Sequence, residues 1–151
     1  VTKVKPPAWA SIVNENTKTP EYYPSVTVAV SIARLAADVY AFASQAANLP
    51  SWASAFVKSI APADGAMGDW VAQTNMGEIR FRFAPRNSLG VLDHDVTLPT
   101  GETFHNPMRV IPNGSGSTVL FTAFDRGTTD FERDVAMIRH DLEMLKTLLE
   151  A

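Results

Sequence analysis

The stretch TDFERDVAMIRHDLEMLKTLLE, from Thr129 to Glu150, decides the fold of this chain. Its apolar side chains recur at alternating intervals of four and three residues, which places them on one face of a helix. They are Phe131, Val135, Ile138, Leu142, Leu145 and Leu149. Thr129 and Glu132 have the spacing of a capping box, so we expect Thr129 to cap the helix. About 22 residues at roughly 1.5 Å each give a helix on the order of 33 Å long, whose apolar face needs a partner of matching length.

The residues upstream of this helix are patterned mostly as strands. Residues 25–32 alternate strictly between apolar and small side chains, which is typical of a half-buried strand. Two short helices follow, and Asn48 is expected to cap the second of them. Tight turns then separate six further strands, at 56–61, 69–74, 78–83, 91–98, 103–111 and 118–124. The order predicts an α+β fold in which a curved seven-stranded antiparallel sheet wraps the long helix.

Length and composition bound the kind of protein. The chain has 151 residues, which suggests one domain, and 46% apolar with 19% charged residues is an ordinary globular balance. Residues 1–24 contain four prolines and no regular period, so we expect an extended N-terminal arm, followed by a domain over 25–151. The absence of cysteine excludes disulfides, thiolate nucleophiles and cysteine-ligated metals.

Net charge and hydropathy limit the classes of partner that the chain can have. A formal charge of −3 offers no electrostatic case for nucleic acid or an anionic membrane surface. No apolar run approaches the roughly 18 residues that span a bilayer, so no integral membrane segment is expected. No signal peptide is visible, and we expect a cytoplasmic protein, with a removed leader as the open alternative.

Two segments near the first helices resemble a known superfamily. They are Val39-Tyr40-Ala41-Phe42-Ala43 and Asn48-Leu49-Pro50-Ser51-Trp52. Together with the closing helix they are similar to the START-like (SRPBCC) helix-grip superfamily, which includes polyketide cyclase/dehydrase-like and lipid-transport proteins. The resemblance covers about residues 25–150. It implies a helix-grip fold, with two short helices after the first strand. It also implies a cavity for lipids, isoprenoids, polyketide-like or aromatic molecules, but no catalytic set.

His94 is the candidate residue with the most chemistry. It lies in the apolar register of Leu92 and Val96, so it should point inward while Asp93 and Asp95 point outward. A histidine in such a cavity could orient a ligand carbonyl or phenol, or act as a general acid or base. The alternative is a core histidine satisfied by a backbone or hydroxyl partner.

Asn106 falls on the inward face of its strand as well. Its amide could bind His94 or a ligand, but we favour a backbone role at the bulge that Pro107 invites. Arg80 and Arg82 should lie on the outer sheet face with partners such as Asp93 or Asp95, the less favoured alternative being an anion site at a subunit contact. The complete set of predicted ligand-binding residues is Trp52, Phe56, Trp70, Phe81, Phe83, His94, Asn106, Met108, Met137 and Ile138.

Three functions remain open from the sequence. The first is binding of a small apolar or amphipathic ligand between sheet and helix. The second is a cyclase, dehydratase or hydrolase that uses His94 with Asn106 or the hydroxyl of Thr122. The third is an interaction module with a collapsed cavity, acting through the arm or a homodimer face. No cofactor is expected, and no metal, because strand alternation separates His94 from Asp93 and Asp95.

The long helix itself is expected to divide by role. Leu142, Leu145 and Leu149 should seal a packed end. Phe131, Val135, Met137 and Ile138 should lie near the entrance or over a cavity.

Overall fold

A computed structural model describes residues 21–64 and 69–151, so residues 1–20 of the predicted arm lie outside the described part. The first half of the domain contains β1 (Ser25–Ile32), α1 (Ala36–Ala43), a 3₁₀ turn (Ala46–Asn48) and α2 (Leu49–Trp52). The remaining strands are β2 (Val57–Pro62), β3 (Trp70–Thr74), β4 (Gly77–Phe83), β5 (His94–Thr97), β6 (Thr103–Asn106), β7 (Met108–Asn113) and β8 (Gly116–Phe124). The chain closes with α3 (Phe131–Glu150). The predicted α+β order is confirmed.

The strands form two antiparallel sheets, in the orders β1-β8-β7 and β2-β3-β4-β5-β6. The sequence predicted one strand over 103–111, whereas the structure divides it at Pro107 into β6 and β7. The physical reason is that proline has no N–H to donate to a ladder. The carboxylate of Asp93 accepts the next backbone N–H, that of Met108, at 3.0 Å. Seven predicted strands therefore become eight.

The two sheets remain joined along this corner. The Leu92 N–H donates to the Met108 carbonyl at 2.9 Å, and the Val110 N–H donates to the Gly90 carbonyl at 2.8 Å. A side chain at Gly90 would lie 2.1 Å from the Val110 oxygen, so this close approach requires glycine. The result is one continuous curved surface that bends at Pro107.

The helix α3 begins one residue later than predicted. Asp130, and not Thr129, is its N-cap, and the Asp130 carboxylate accepts the Arg133 N–H at 3.2 Å. The Thr129 hydroxyl instead donates to the carboxylate of Asp134. Asp130 takes the N-cap position because its backbone is extended and its carboxylate reaches the N–H of the third residue of the helix, as N-cap side chains do.

The C-terminal half of α3 is fastened to β1. Leu142 and Leu145 are 1% and 0% exposed in the core that β1 also lines. The ammonium of Lys146 donates to the Ser31 carbonyl at 2.9 Å, and the guanidinium of Arg34 donates to the Leu149 carbonyl at 2.8 Å. These two hydrogen bonds attach the last turns of α3 to β1 and to the residues that follow it. No helix in residues 21–64 and 69–151 is long and apolar enough to cross a membrane.

Candidate functional site: a cavity beneath the long helix

A cavity of about 620 Å³ lies between the N-terminal half of α3 and the concave face of the sheet. Pockets that hold small molecules span roughly 300–1,000 Å³. Cross-strand pairing explains its floor: Phe83, His94 and Asn106 are paired across β4, β5 and β6, so their side chains share one face. Strand alternation thus delivers a continuous inner wall.

The cavity wall is predominantly aromatic. Seven of the eight phenylalanines of the chain line it, together with one tryptophan. They are Phe56, Phe81, Phe83, Phe104, Phe121, Phe124, Phe131 and Trp52. Phe104, Phe121 and Phe124 were not in the predicted set, although Phe121 shares the inward register of Val119 and Ala123, which could have identified it. Such a wall favours a ligand with flat apolar surface.

Nine of the ten predicted residues come together at this cavity. They are Trp52, Phe56, Phe81, Phe83, His94, Asn106, Met108, Met137 and Ile138. Trp70 does not line it: this side chain borders a separate hollow of about 380 Å³ with Phe83 and residues 44–47. Contact of any of these residues with a ligand stays a prediction.

His94 is held in one tautomer by its surroundings. Its Nδ1 lies 3.0 Å from the Leu92 carbonyl oxygen, which can only accept, so Nδ1 carries the proton. Burial lowers the pKa of His94 from 6.5 to about 4, so the ring is neutral at pH 7. Nε2 then presents a lone pair, and it has no hydrogen-bond partner among the described residues. The alternative from the sequence, a core histidine with a backbone partner, is therefore correct for Nδ1, but in the described part of the chain the second ring nitrogen keeps no such partner.

Asn106 is free of the backbone role that the sequence favoured for it. Asp93 takes that role at Pro107, and its carboxylate also binds the guanidinium of Arg109 at 3.0 and 3.1 Å. These contacts lower the pKa of Asp93 against the opposing effect of its burial. The Asn106 side chain makes no hydrogen bond within the described part of the chain, and it faces the cavity beside His94.

Asp141 is a cavity residue that the sequence analysis missed. It is 7% exposed, and its Oδ1 accepts the Ala55 N–H at 3.0 Å. The Asn75 amide donates to the Ala55 carbonyl at 2.7 Å, so this turn between α2 and β2 is held on both sides. Burial raises the pKa of Asp141. Its position three residues after Ile138 and four before Leu145 is the signal that places it on the apolar face.

The outer sheet face carries the ion pairs. Arg80 and Arg82 point outward as predicted, but both bind Asp69 in preference to Asp93 or Asp95. Thr122 also faces away from the cavity, since its hydroxyl lies 2.8 Å from that of Thr27. Thr122 is therefore excluded as a cavity hydroxyl. Within residues 21–64 and 69–151, no three His, Asp or Glu side chains are grouped to hold a metal.

Comparison with known proteins identifies the fold. No protein-family model and no curated protein sequence matches this chain. Among solved structures, the Aha1 dimer from Colwellia psychrerythraea is 16% identical, with a TM-score of 0.66 over 84% of this chain and 96% of that chain. The di-domain ARO/CYC StfQ from the steffimycin biosynthetic pathway is 11% identical, with a TM-score of 0.66 over 83% of this chain and 44% of that chain.

A truncated norcoclaurine synthase from Thalictrum flavum also matches, at 13% identity with a TM-score of 0.57 over 88% of this chain and 97% of that chain. The chain has the helix-grip fold. At these identities the likeness defines the fold and not the ligand. The homodimer considered from the sequence stays a prediction.

The mouth of this helix-grip cavity is polar. Arg126 lies over the ring of Phe104, with its guanidinium carbon 4.5 Å from the ring centroid. Four carboxylates and two guanidinium groups belong to the cavity lining. They are Glu102, Asp130, Asp134 and Asp141, against Arg126 and Arg133. Asp141 is buried, whereas the other five side chains are half-buried or exposed, so a polar rim borders an aromatic interior.

Proposed function

We propose that this chain binds a small amphipathic molecule in the cavity beneath α3. The observation that carries the proposal is the cavity of about 620 Å³, which has an aromatic wall and a few polar groups at fixed positions. This combination is typical of small-molecule sites. A ligand that buried roughly 300 Å² of apolar surface would gain about 7 kcal/mol before the entropic cost of binding.

The cavity supports binding over the two alternatives left by the sequence. An acid–base enzyme works best with a catalytic pKa near the operating pH, whereas burial holds the pKa of His94 at about 4. The space beneath Met137 and Ile138 argues against an interaction module, because that alternative assumed a collapsed cavity. Binding of an apolar or aromatic ligand is the function that the geometry favours.

A fluorescent probe tests the proposal. N-phenyl-1-naphthylamine is neutral and brightens in apolar surroundings, so we expect wild-type protein to enhance its fluorescence saturably. Ile138→Trp should reduce the affinity at least about tenfold by filling the space, while Glu143→Trp, on the exposed side of α3, should leave it unchanged.

Native mass spectrometry of freshly purified protein controls for an occupied cavity. A copurified apolar molecule that is lost from Ile138→Trp would support the proposal. If the wild-type protein neither binds the probe nor carries a copurified molecule, the proposal is overturned.

A further inference from the structure

We infer that the cavity selects a neutral aromatic ligand bearing a hydroxyl group, which binds His94 and Asn106. This inference rests on the proposed function and names the class of ligand. The sequence left open whether His94 would meet a carbonyl or a phenol. The hydrogen bonding in the structure separates the two.

The first step is the polarity of His94. Because Nδ1 donates to the Leu92 carbonyl, Nε2 is an acceptor, and the ligand group that complements it is a donor. A carbonyl, an ether or a carboxylate has no proton to offer and would place two acceptors against each other. A hydroxyl does have that proton.

The second step is the neighbour of His94. Asn106 is the cross-strand partner of His94, and its side-chain amide makes no hydrogen bond among the described residues. An amide can donate, so it can bind the oxygen of the same hydroxyl that donates to Nε2. A hydroxyl, which both donates and accepts, is the small group that satisfies this pair at once.

The third step is the shape of the surroundings. Three phenylalanine rings enclose His94, with centroids 5.0 Å away for Phe81, 5.6 Å for Phe121 and 5.8 Å for Phe83. All three phenylalanines also line the cavity, so a group bound at Nε2 meets aromatic surface, against which another ring packs favourably edge-to-face or offset. The group that carries the hydroxyl is therefore best matched by an aromatic ring.

The fourth step is charge. Carboxylates outnumber guanidinium groups in the lining by four to two, and both guanidinium groups belong to residues near the start of α3. His94 is neutral, so the aromatic interior provides no cation to pair with an anion brought beside it. An unpaired ionised carboxylate in such a place bears a large desolvation cost. Anionic ligands are disfavoured at the His94 end.

A matched ligand series tests the inference by isothermal titration calorimetry at pH 7. The series is naphthalene, 2-naphthol, 2-methoxynaphthalene and 2-naphthoate, which share a ring and differ in the polar group. We expect 2-naphthol to bind about fivefold to thirtyfold more tightly than naphthalene or the ether, as one or two net hydrogen bonds would give. The carboxylate should bind most weakly.

Two variants locate the preference. His94→Phe should bring 2-naphthol down to the affinity of naphthalene, because the acceptor is gone. His105→Phe, on the outer sheet face, should keep the preference and is the matched control. The wild-type series alone decides the inference if His94→Phe does not fold.

The outcomes separate the two proposals. If no member of the series binds and native mass spectrometry shows no copurified molecule, the proposed function fails with the inference. If naphthalene, its ether and 2-naphthol bind equally, the cavity binds ligands but the hydroxyl preference is refuted. If 2-naphthoate binds most tightly, the inference is overturned in favour of the rim guanidinium groups.

Discussion

The two halves of α3 carry the same apolar pattern, but the C-terminal half packs against the protein core and the N-terminal half faces the cavity. In the C-terminal half, Leu142 and Leu145 are almost fully buried against the core. In the N-terminal half, Met137 and Ile138 are only partly buried and look across a cavity. Periodicity therefore identifies the buried face of a helix, but it does not distinguish a protein partner from an empty space. The sequence predicted such a division but drew it at other residues: Leu142, expected at the packed end, also lines the cavity, whereas Val135, expected over the cavity, is not among its lining residues.

The largest expected contrast is in stability. Leu145→Ala should lower the free energy of unfolding by about 2–5 kcal/mol, because a fully buried leucine leaves a void. Ile138→Ala should cost about 1 kcal/mol or less, since this side chain already borders space. Urea unfolding of both variants measures the difference. Equal losses would mean that the cavity half is packed as tightly as the other.

The second contrast is the pH dependence contributed by the cavity half. The pKa of His94 is lowered to about 4 by burial, so the folded chain binds this proton less readily than the unfolded chain. The contribution of neutral His94 to the free energy of unfolding is fully present above pH 6.5, and it is lost as the pH falls towards 4. The full difference corresponds to roughly 3 kcal/mol.

Urea unfolding at pH 7 and pH 4.5 checks this effect. His94→Phe should lose much less stability than wild type between these two pH values, and His105→Phe should behave like wild type. A wild-type slope that survives in His94→Phe would contradict the assignment.

The smallest of these effects concerns the boundary between the halves. Asp141→Ala leaves the Ala55 N–H without its acceptor, which should cost about 1–3 kcal/mol and speed amide exchange at Ala55. Asp141→Asn keeps an acceptor oxygen without a charge to desolvate, so it should match or exceed wild type. Urea unfolding with hydrogen exchange at Ala55 measures both. An asparagine variant as weak as the alanine variant would show that charge, and not the acceptor, matters.

Much of this fold follows from local pattern. The strict alternation of residues 25–32 and the four-and-three spacing of α3 predicted both elements, and alternation also placed His94 on the inner face. These predictions succeed because strand and helix periods are properties of neighbouring residues. The aromatic wall follows in part for the same reason.

Other features depend on contacts that sequence spacing does not contain. The role of Asp93 arises because Pro107 lies beside it in the folded sheet, and the burial of Asp141 arises because the turn at Ala55 packs against it. Trp70 is the first residue of β3, and its side chain borders a separate hollow and not the cavity. Each of these outcomes requires the positions of residues far away in the chain.

The bend of the sheet at Pro107 affects how the cavity can change when residues are substituted. The bend is maintained by a missing donor at Pro107, by the carboxylate of Asp93 and by the bare backbone of Gly90. The inner wall, in contrast, is supplied by phenylalanines and by His94. The curvature of the inner wall and its chemistry thus depend on different residues. Substitutions of wall residues alter both which molecule is held and how much space it has, whereas changes at the corner act on the curvature and leave the aromatic side chains in place.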